Sequence, residues 1–148
     1  MLILRVMMGL PRSGKSTIVD ELEGFQIICA DDIRLAMGHQ FAPDLEPFVW
    51  GTHNSMIKAQ MIRGKNIVVD STNTVFSRLE TYKRLADNHG YHMELWYVDT
   101  PLSVCLKRNI GESSVPEGVI TRMSGQLEVM INSDVFRELC KEIKYESC

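Results

Sequence analysis

Apolar positions along this chain switch between short continuous runs and stripes spaced three or four residues apart. Leu2–Met8 is apolar nearly throughout, interrupted only by Arg5, as suits a central strand covered on both faces. Gln26–Ala30, Asn66–Asp70 and Tyr91–Val98 read as further strands. Between them the period becomes helical. One helix is expected over Gly14–Leu22, and a short one opens at Asp31-Asp32, where either carboxylate can cap it. Residues 38–47 form a loop, because Pro43 and Pro47 interrupt both periods. The next helix reaches about Arg63 with Phe48, Thr52, Met56 and Ala59 on one stripe, and Gly64 ends it. Val75, Leu79, Tyr82 and Ala86 mark a helix closed by Gly90. Pro101 opens one that reaches Ile110, 111–115 is loop, and Pro116 starts another with Val119, Met123, Leu127 and Met130 on its apolar face. A last amphipathic helix is expected over about 134–144, using Val135, Leu139 and Ile143.

Strands alternating with helices predict a parallel α/β sandwich. Such sheets bind ligands at the carboxyl ends of their strands. Strand one ends at Gly9-Leu10-Pro11-Arg12-Ser13-Gly14-Lys15-Ser16, a match to the phosphate-loop pattern G-x-x-x-x-G-K-[ST] in its required strand–loop–helix setting. The backbone N–H groups of Ser13 to Ser16 would form a nest for a β-phosphate at the positive end of the following helix. Lys15 would reach the β/γ oxygens, and the Ser16 hydroxyl would ligate Mg²⁺. The expected ligands are therefore ATP and Mg²⁺.

Two more carboxylates arrive at the same edge. Asp31 lies just past strand two, where a base can take a proton from an attacking hydroxyl. Asp32 competes for that role, and either residue alone serves equally well as a helix cap. Arg34 sits three residues beyond Asp31, on the same face of the first turn, and suits an acceptor phosphate. Asp70 ends the buried run Ile67-Val68-Val69, where a charge needs a partner. It either helps hold Mg²⁺ through water, pairs with an arginine across the site, or caps the next helix. Lys107 and Arg108 can close over phosphates as part of a lid, or simply complement a helix dipole. Arg122 is a weaker lid candidate. Phe41, Trp50 and His53 flank the loop between strands two and three, as acceptor contacts or as ordinary core and surface.

At 148 residues the chain is expected to be one domain, with a lid at about 109–118. The net charge of −3 gives no broad basic footprint for long nucleic acid, though a local basic groove is compatible with it. Cys29, Cys105, Cys140 and Cys148 form no C-x-x-C pair, which suits idle thiols in a reducing cytosol. The N-terminal run reads as a strand rather than a signal peptide, and no stretch is long enough to span a membrane.

The set G-L-P-R-S-G-K-S-T (9–17), D-D-I-R (31–34), D-S-T-N (70–73), K-R-N (107–109) and V-P-x-x-V-I-x-R-M (115–123) resembles the kinase module of phage-type polynucleotide 5′-kinases, within the P-loop kinases. Order and spacing match over about residues 1–125. The resemblance implies a P-loop kinase three-layer sandwich, with a four-stranded parallel sheet of order 2-3-1-4 and a short lid. It implies catalytic roles for Asp31 as base, Lys15, Arg34 gripping the phosphate beside the acceptor hydroxyl, and Asp70 holding Arg34. Gly9, Pro11, Arg12, Ser13, Gly14, Lys15, Ser16, Thr17 and Arg108 would bind ATP, with Ser16 as the metal ligand. The stretch 110–114 lacks the lysines and arginines usual in the family lid, so an ATP-phosphate contact is either missing or supplied by Arg12 or Arg122. No phosphatase or ligase module is present in this sequence.

The expected activity is ATP-dependent phosphorylation of a hydroxyl on a nucleic acid, most simply a 5′-OH, in the cytoplasm (the host's, for a viral protein). Nucleic acid is the expected partner. Rival acceptors are a 5-hydroxymethylpyrimidine base in DNA and a small nucleotide or metabolite. The non-enzymatic rival is a nucleotide-binding regulatory module.

Overall fold

A computed structural model describes residues 1–38, 42–111, 114–139 and 143–146. Phe41 lies outside the described residues, as do Glu112 and Ser113 in the expected lid and the side chains of Val135, Leu139 and Ile143.

The elements are β1 Ile3–Met8, α1 Lys15–Asp20, β2 Phe25–Ile28, α2 Ala30–Ala36, α3 Glu46–Ile62, β3 Asn66–Val69, α4 Phe76–His89, β4 His92–Val98, α5 Leu102–Arg108, α6 Glu117–Ile131, α7 Asp134–Leu139 and β5 Ile143–Glu146. The sheet has the order β2-β3-β1-β4-β5, and every neighbouring pair is parallel. Its first four strands follow the expected 2-3-1-4 order.

Alternation along the central strands splits the core. Leu4, Val6 and Met8 of β1 join Ile67 and Val69 of β3 and Leu95 of β4 in the larger cluster, with Ile57, Leu79, Tyr82 and Leu127 from the helices. Met7, Val68 and Val98 face the opposite side, against Val19 of α1. Burial on both faces is why these strands read as near-continuous apolar runs. Arg5 lies on that second face, where it donates to Glu94 at 2.8 Å and stacks on Phe25 and Trp96.

Two expectations are corrected. The C-terminal helix stops at Leu139, and a fifth strand follows, pairing Leu95 with Ile143 and Val98 with Glu146. Ile143-Lys144-Tyr145-Glu146 alternates with period two and pairs with the otherwise bare edge of β4, which favours strand over helix. On α3 the buried residues are Val49, His53, Ile57 and Met61. Phe48 is 65% exposed, and Met56 is exposed with it. The buried stripe lies one residue out of phase with the expected one, because both neighbouring stripes carry large apolar side chains.

His53 is part of the core, fully buried between the rings of Trp50 and Tyr82. Neither ring nitrogen makes a hydrogen bond of good geometry. Burial lowers its pKa from the ordinary 6.5 to about 4, and Asn54 offsets part of that effect. The unfolded chain therefore binds a proton that the folded chain refuses. Stability held above pH 6.5 should fall as pH drops toward 4, by about 3 kcal/mol in all. Urea midpoints at pH 7 and pH 4.5 test this, and His53→Leu should flatten that part of the pH dependence.

Candidate active site

β1 ends in the 9–16 loop, and the loop's shape is sterically set. A Cβ on Gly9 would lie 2.9 Å from Ser13 Oγ and 3.1 Å from the Val98 carbonyl, so only glycine fits there. Gly14 adopts φ 104°, a left-handed conformation natural to glycine, and Arg12 adopts φ 68°. Thr100, just past β4, donates its hydroxyl to the Ser13 carbonyl at 2.7 Å and pins the loop to the sheet. The Lys15 ammonium donates to the Gly9 and Leu10 carbonyls at 3.1 and 2.7 Å and to Ser13 Oγ at 3.4 Å. The loop is thus preformed around its lysine, with Ser13 and Lys15 buried and Ser16 and Thr17 exposed. Pro11 lies half-buried within the turn.

Burial lowers the Lys15 pKa to about 8, against the opposing pull of Asp70 and Asp31. A bound triphosphate would restore the charge. Nucleotide binding at pH 8 should therefore take up about half a proton, and affinity should weaken as pH rises through 8. Calorimetry in two buffers of different ionisation enthalpy measures the uptake, and Lys15→Gln should abolish it.

Asp70 follows β3 and faces the phosphate loop. Ser16 Oγ donates to Asp70 Oδ2 at 3.1 Å. Burial pushes the Asp70 carboxyl up, while the Ser16 hydrogen bond and the Lys15 charge hold it down. The loop after Asp70 is locked to β1. Gly9 N–H donates to the Thr72 carbonyl at 3.2 Å, and Asn73 Nδ2 donates to the Met7 carbonyl at 2.6 Å. Asn73 adopts φ 53° and accepts from the Tyr82 hydroxyl at 3.2 Å. The D-S-T-N motif thus joins one chemical carboxylate to a structural pin.

Asp31 and Asp32 lie in the first turn of α2, both exposed. Neither caps the helix as expected. Cys29 occupies the cap position, and no side chain bonds there. Asp31 Oδ1 accepts from Arg34 Nη1 at 2.7 Å. The same guanidinium grips Glu46 with two parallel bonds, Nε to Oε2 at 3.0 Å and Nη2 to Oε1 at 2.7 Å. The Arg34 partners are therefore Glu46 and Asp31, where the resemblance implied Asp70. Asp70 turns to Ser16 instead, because β3 delivers it behind the phosphate loop while Glu46 opens α3 directly against α2.

Lys107 and Arg108 end α5, and Arg108 Nη1 donates to the Arg12 carbonyl at 3.2 Å. Asn109 of the K-R-N element ties α5 to the start of the V-P element, by exchanging hydrogen bonds with both backbone groups of Val115. Arg122 is exposed on α6. Sequence reasoning missed the roles of Glu46, Asn73, Thr100 and Asn109. The K-R-N motif was the visible signal for Asn109, and an acidic residue in the first turn of α3 was the signal for Glu46.

A family profile described as AAA domain matches residues 4–130. The chain belongs to the AAA-domain family. Among relatives of this AAA domain, a protein assigned as a bifunctional polynucleotide kinase/RNA ligase in Autographa californica nuclear polyhedrosis virus is 26% identical over 74% of this chain and 18% of its own length. The L-seryl-tRNA(Sec) kinase of Methanococcus maripaludis is 27% identical over 82% of this chain and 51% of its own. The chain thus spans about half or less of these curated relatives. The Pnkp1/Rnl/Hen1 RNA repair complex includes a chain that superposes with a TM-score of 0.73 at 21% identity, covering 86% of this chain and 44% of the other. The AAA domain here has the P-loop kinase fold and kinase relatives. That fold is a nucleotide-binding one, and Mg²⁺ typically accompanies the nucleotide. Among the described residues no helix is long and apolar enough to cross a membrane.

The residues present fit both groups. Gly9 leaves a cradle that any Cβ would fill, and Ser16 with Asp70 offers adjacent hard oxygens of the kind Mg²⁺ prefers.

Proposed function

We propose that this chain is an ATP-dependent phosphotransferase whose acceptor is a hydroxyl of a nucleic acid, most simply a polynucleotide 5′-OH. The observation that carries this reading is the Asp31–Arg34–Glu46 chain of ion pairs, at the same sheet edge as Lys15, Ser16 and Asp70. It presents an exposed carboxylate whose direction is fixed by an anchored arginine. The kinase relatives support the reaction class, the polynucleotide kinase/RNA ligase name supports a nucleic-acid hydroxyl as acceptor, and the seryl-tRNA kinase name supports an acceptor carried on RNA.

In this mechanism the 9–17 loop and Arg108 would hold ATP, and Ser16 with Asp70 would hold a Mg²⁺ ion that would supply positive charge to the phosphates. Asp31 accepts the proton of the acceptor hydroxyl as its oxygen bonds to the γ-phosphorus and the bond to the ADP oxygen breaks. Lys15 stabilises the negative charge on the transferring group. Arg34 keeps two N–H donors free of its ion pairs for the phosphate beside that hydroxyl. The domain is read as a single kinase unit over 1–148, with 109–118 as its lid.

The test is transfer from γ-labelled ATP with Mg²⁺ to a panel. It should hold 5′-OH oligonucleotides, hydroxymethylpyrimidine duplexes, nucleosides and small alcohols. Labelling of the oligonucleotide 5′ end is the expected result. Label on the modified base or a small alcohol moves the acceptor, and no turnover with any of them points to a regulatory nucleotide-binding module.

The Arg108 contact with the loop is exposed. Arg108→Ala should therefore weaken ATP binding by only about 1–2 kcal/mol, up to roughly thirtyfold in KM for ATP, leaving the acceptor KM unchanged.

A further inference from the structure

The end of β4 lies directly against the phosphate loop. The Val98 carbonyl stands 3.1 Å from where a Cβ on Gly9 would be, so the missing Cβ is what admits it. The chain then turns at once. Thr100 N–H donates to the Val98 carbonyl at 3.1 Å, and Pro101 opens α5, its carbonyl accepting from the N–H groups of Val104 and Cys105. The Thr100 carbonyl accepts from the buried Cys105 thiol at 3.8 Å. Thr100 is therefore held on both sides, by the last residue of β4 and by the first turn of α5.

Its side chain reaches back into the loop, where the hydroxyl donates to the Ser13 carbonyl at 2.7 Å. Ser13 is fully buried and Thr100 nearly so. A hydrogen bond shielded from water is stronger than an exposed one, and its acceptor is costly to leave stranded.

A peptide group is planar and trans, so its C=O and N–H point in opposite directions. Holding the Ser13 carbonyl on Thr100 therefore aims the Gly14 N–H away from the end of β4. Gly14 itself does not enforce this direction. It adopts φ 104°, and glycine passes between left-handed and right-handed conformations at little cost. The neighbouring groups are tied elsewhere, Ser13 N–H to the Leu10 carbonyl at 3.1 Å and Ile18 N–H to the Gly14 carbonyl at 3.3 Å, and Thr100 secures the plane between them. A flip of that one peptide would replace a donor in the nest with a carbonyl oxygen, which repels a phosphate.

We infer that Thr100 is a positioning residue for the nucleotide: its hydroxyl holds the Ser13–Gly14 peptide so that the Gly14 N–H is presented to the β-phosphate before the nucleotide arrives. This rests on the reading of the loop as an ATP site. The hydroxyl touches no substrate. It acts through the loop backbone, and its effect is confined to a ligand that carries a β-phosphate.

The test is titration calorimetry of the full chain with ADP and Mg²⁺, and with AMP, which lacks the β-phosphate. Thr100→Val removes the hydroxyl at nearly the same shape. It should weaken ADP binding roughly tenfold and leave AMP binding unchanged. Thr100→Ser keeps the hydroxyl and should bind ADP as the wild type does. A second readout needs no variant and decides the matter if Thr100→Val fails to fold. In ¹³C,¹⁵N-labelled wild type, ADP should move the Gly14 amide proton downfield, while the Ser13 carbonyl carbon keeps its shift because its bond to Thr100 is present in both states. Three results would overturn the assignment and leave the nucleotide reading standing: Thr100→Val that binds ADP at full strength, Thr100→Val that loses ADP and AMP equally, or a Ser13 carbonyl that shifts when ADP binds. A wild type that binds neither ADP nor ATP sinks both.

Discussion

Asp31→Asn is expected to lower kcat by roughly 10²–10⁴-fold while leaving KM for ATP near its original value. The substitution retains Oδ1, which accepts the 2.7 Å bond from Arg34, so the arginine stays anchored on Glu46 and the site keeps its shape. What is lost is the basicity and the negative charge, while the shape stays. Asp32→Asn, one residue on and without a described partner in the Arg34 cluster, should change kcat by less than a few-fold. Steady-state kinetics on both variants decide between the two carboxylates. A mild Asp31→Asn beside a crippled Asp32→Asn would reverse the assignment and would deprive the Asp31–Arg34–Glu46 chain of its catalytic meaning.

Lys15→Ala should cost about 10²-fold or more in kcat. The lysine already lies along the loop, bonded to the Gly9 and Leu10 carbonyls, so it meets a phosphate without first being ordered. Removing it also removes a buried charge whose pKa is already held down near 8 by desolvation. The loss of three hydrogen bonds and the relief of that desolvation oppose each other, so the melting temperature should move by only a few degrees. Thermal melts and single-turnover transfer on the same preparation separate the two effects. A folded Lys15→Ala protein with near-normal transfer would remove the lysine from the chemistry.

The phosphate loop was readable from the chain because its geometry is local. Gly9, Gly14, Lys15 and Ser16 sit within eight consecutive positions, and the loop's needs, a missing Cβ and a left-handed φ, select glycine directly. The four-strand order was carried by motif resemblance, and the strands were visible because burial on both faces leaves continuous apolar runs. The place of Asp31 and Asp70 at one edge followed from parallel strands ending on the same side.

Partner choice could not be read in this way. Whether Asp70 meets Arg34 or Ser16 depends on how far β3 carries it behind the loop, and Glu46 reaches Arg34 only because α3 opens against α2. The distance in sequence between Arg34 and Glu46, twelve residues, conceals that contact from any local pattern. The same holds for Arg78, which lies 28 positions beyond Trp50 and meets it only across the α3–α4 interface. Helical spacing set the period of α3 but not its phase. Phe48 and Met56 are as apolar as Val49 and Ile57, and only packing against β3 and α2 turned the second stripe inward. The fifth strand was decided by the open edge of β4, a neighbour that Ile143 to Glu146 acquire only once the sheet exists. The phosphate loop, the strand runs and the carboxylates at their ends are legible in the chain, because they depend on short-range sterics and burial. The tertiary structure alone decided which charge each arginine serves, because electrostatic partners are chosen by distance in space.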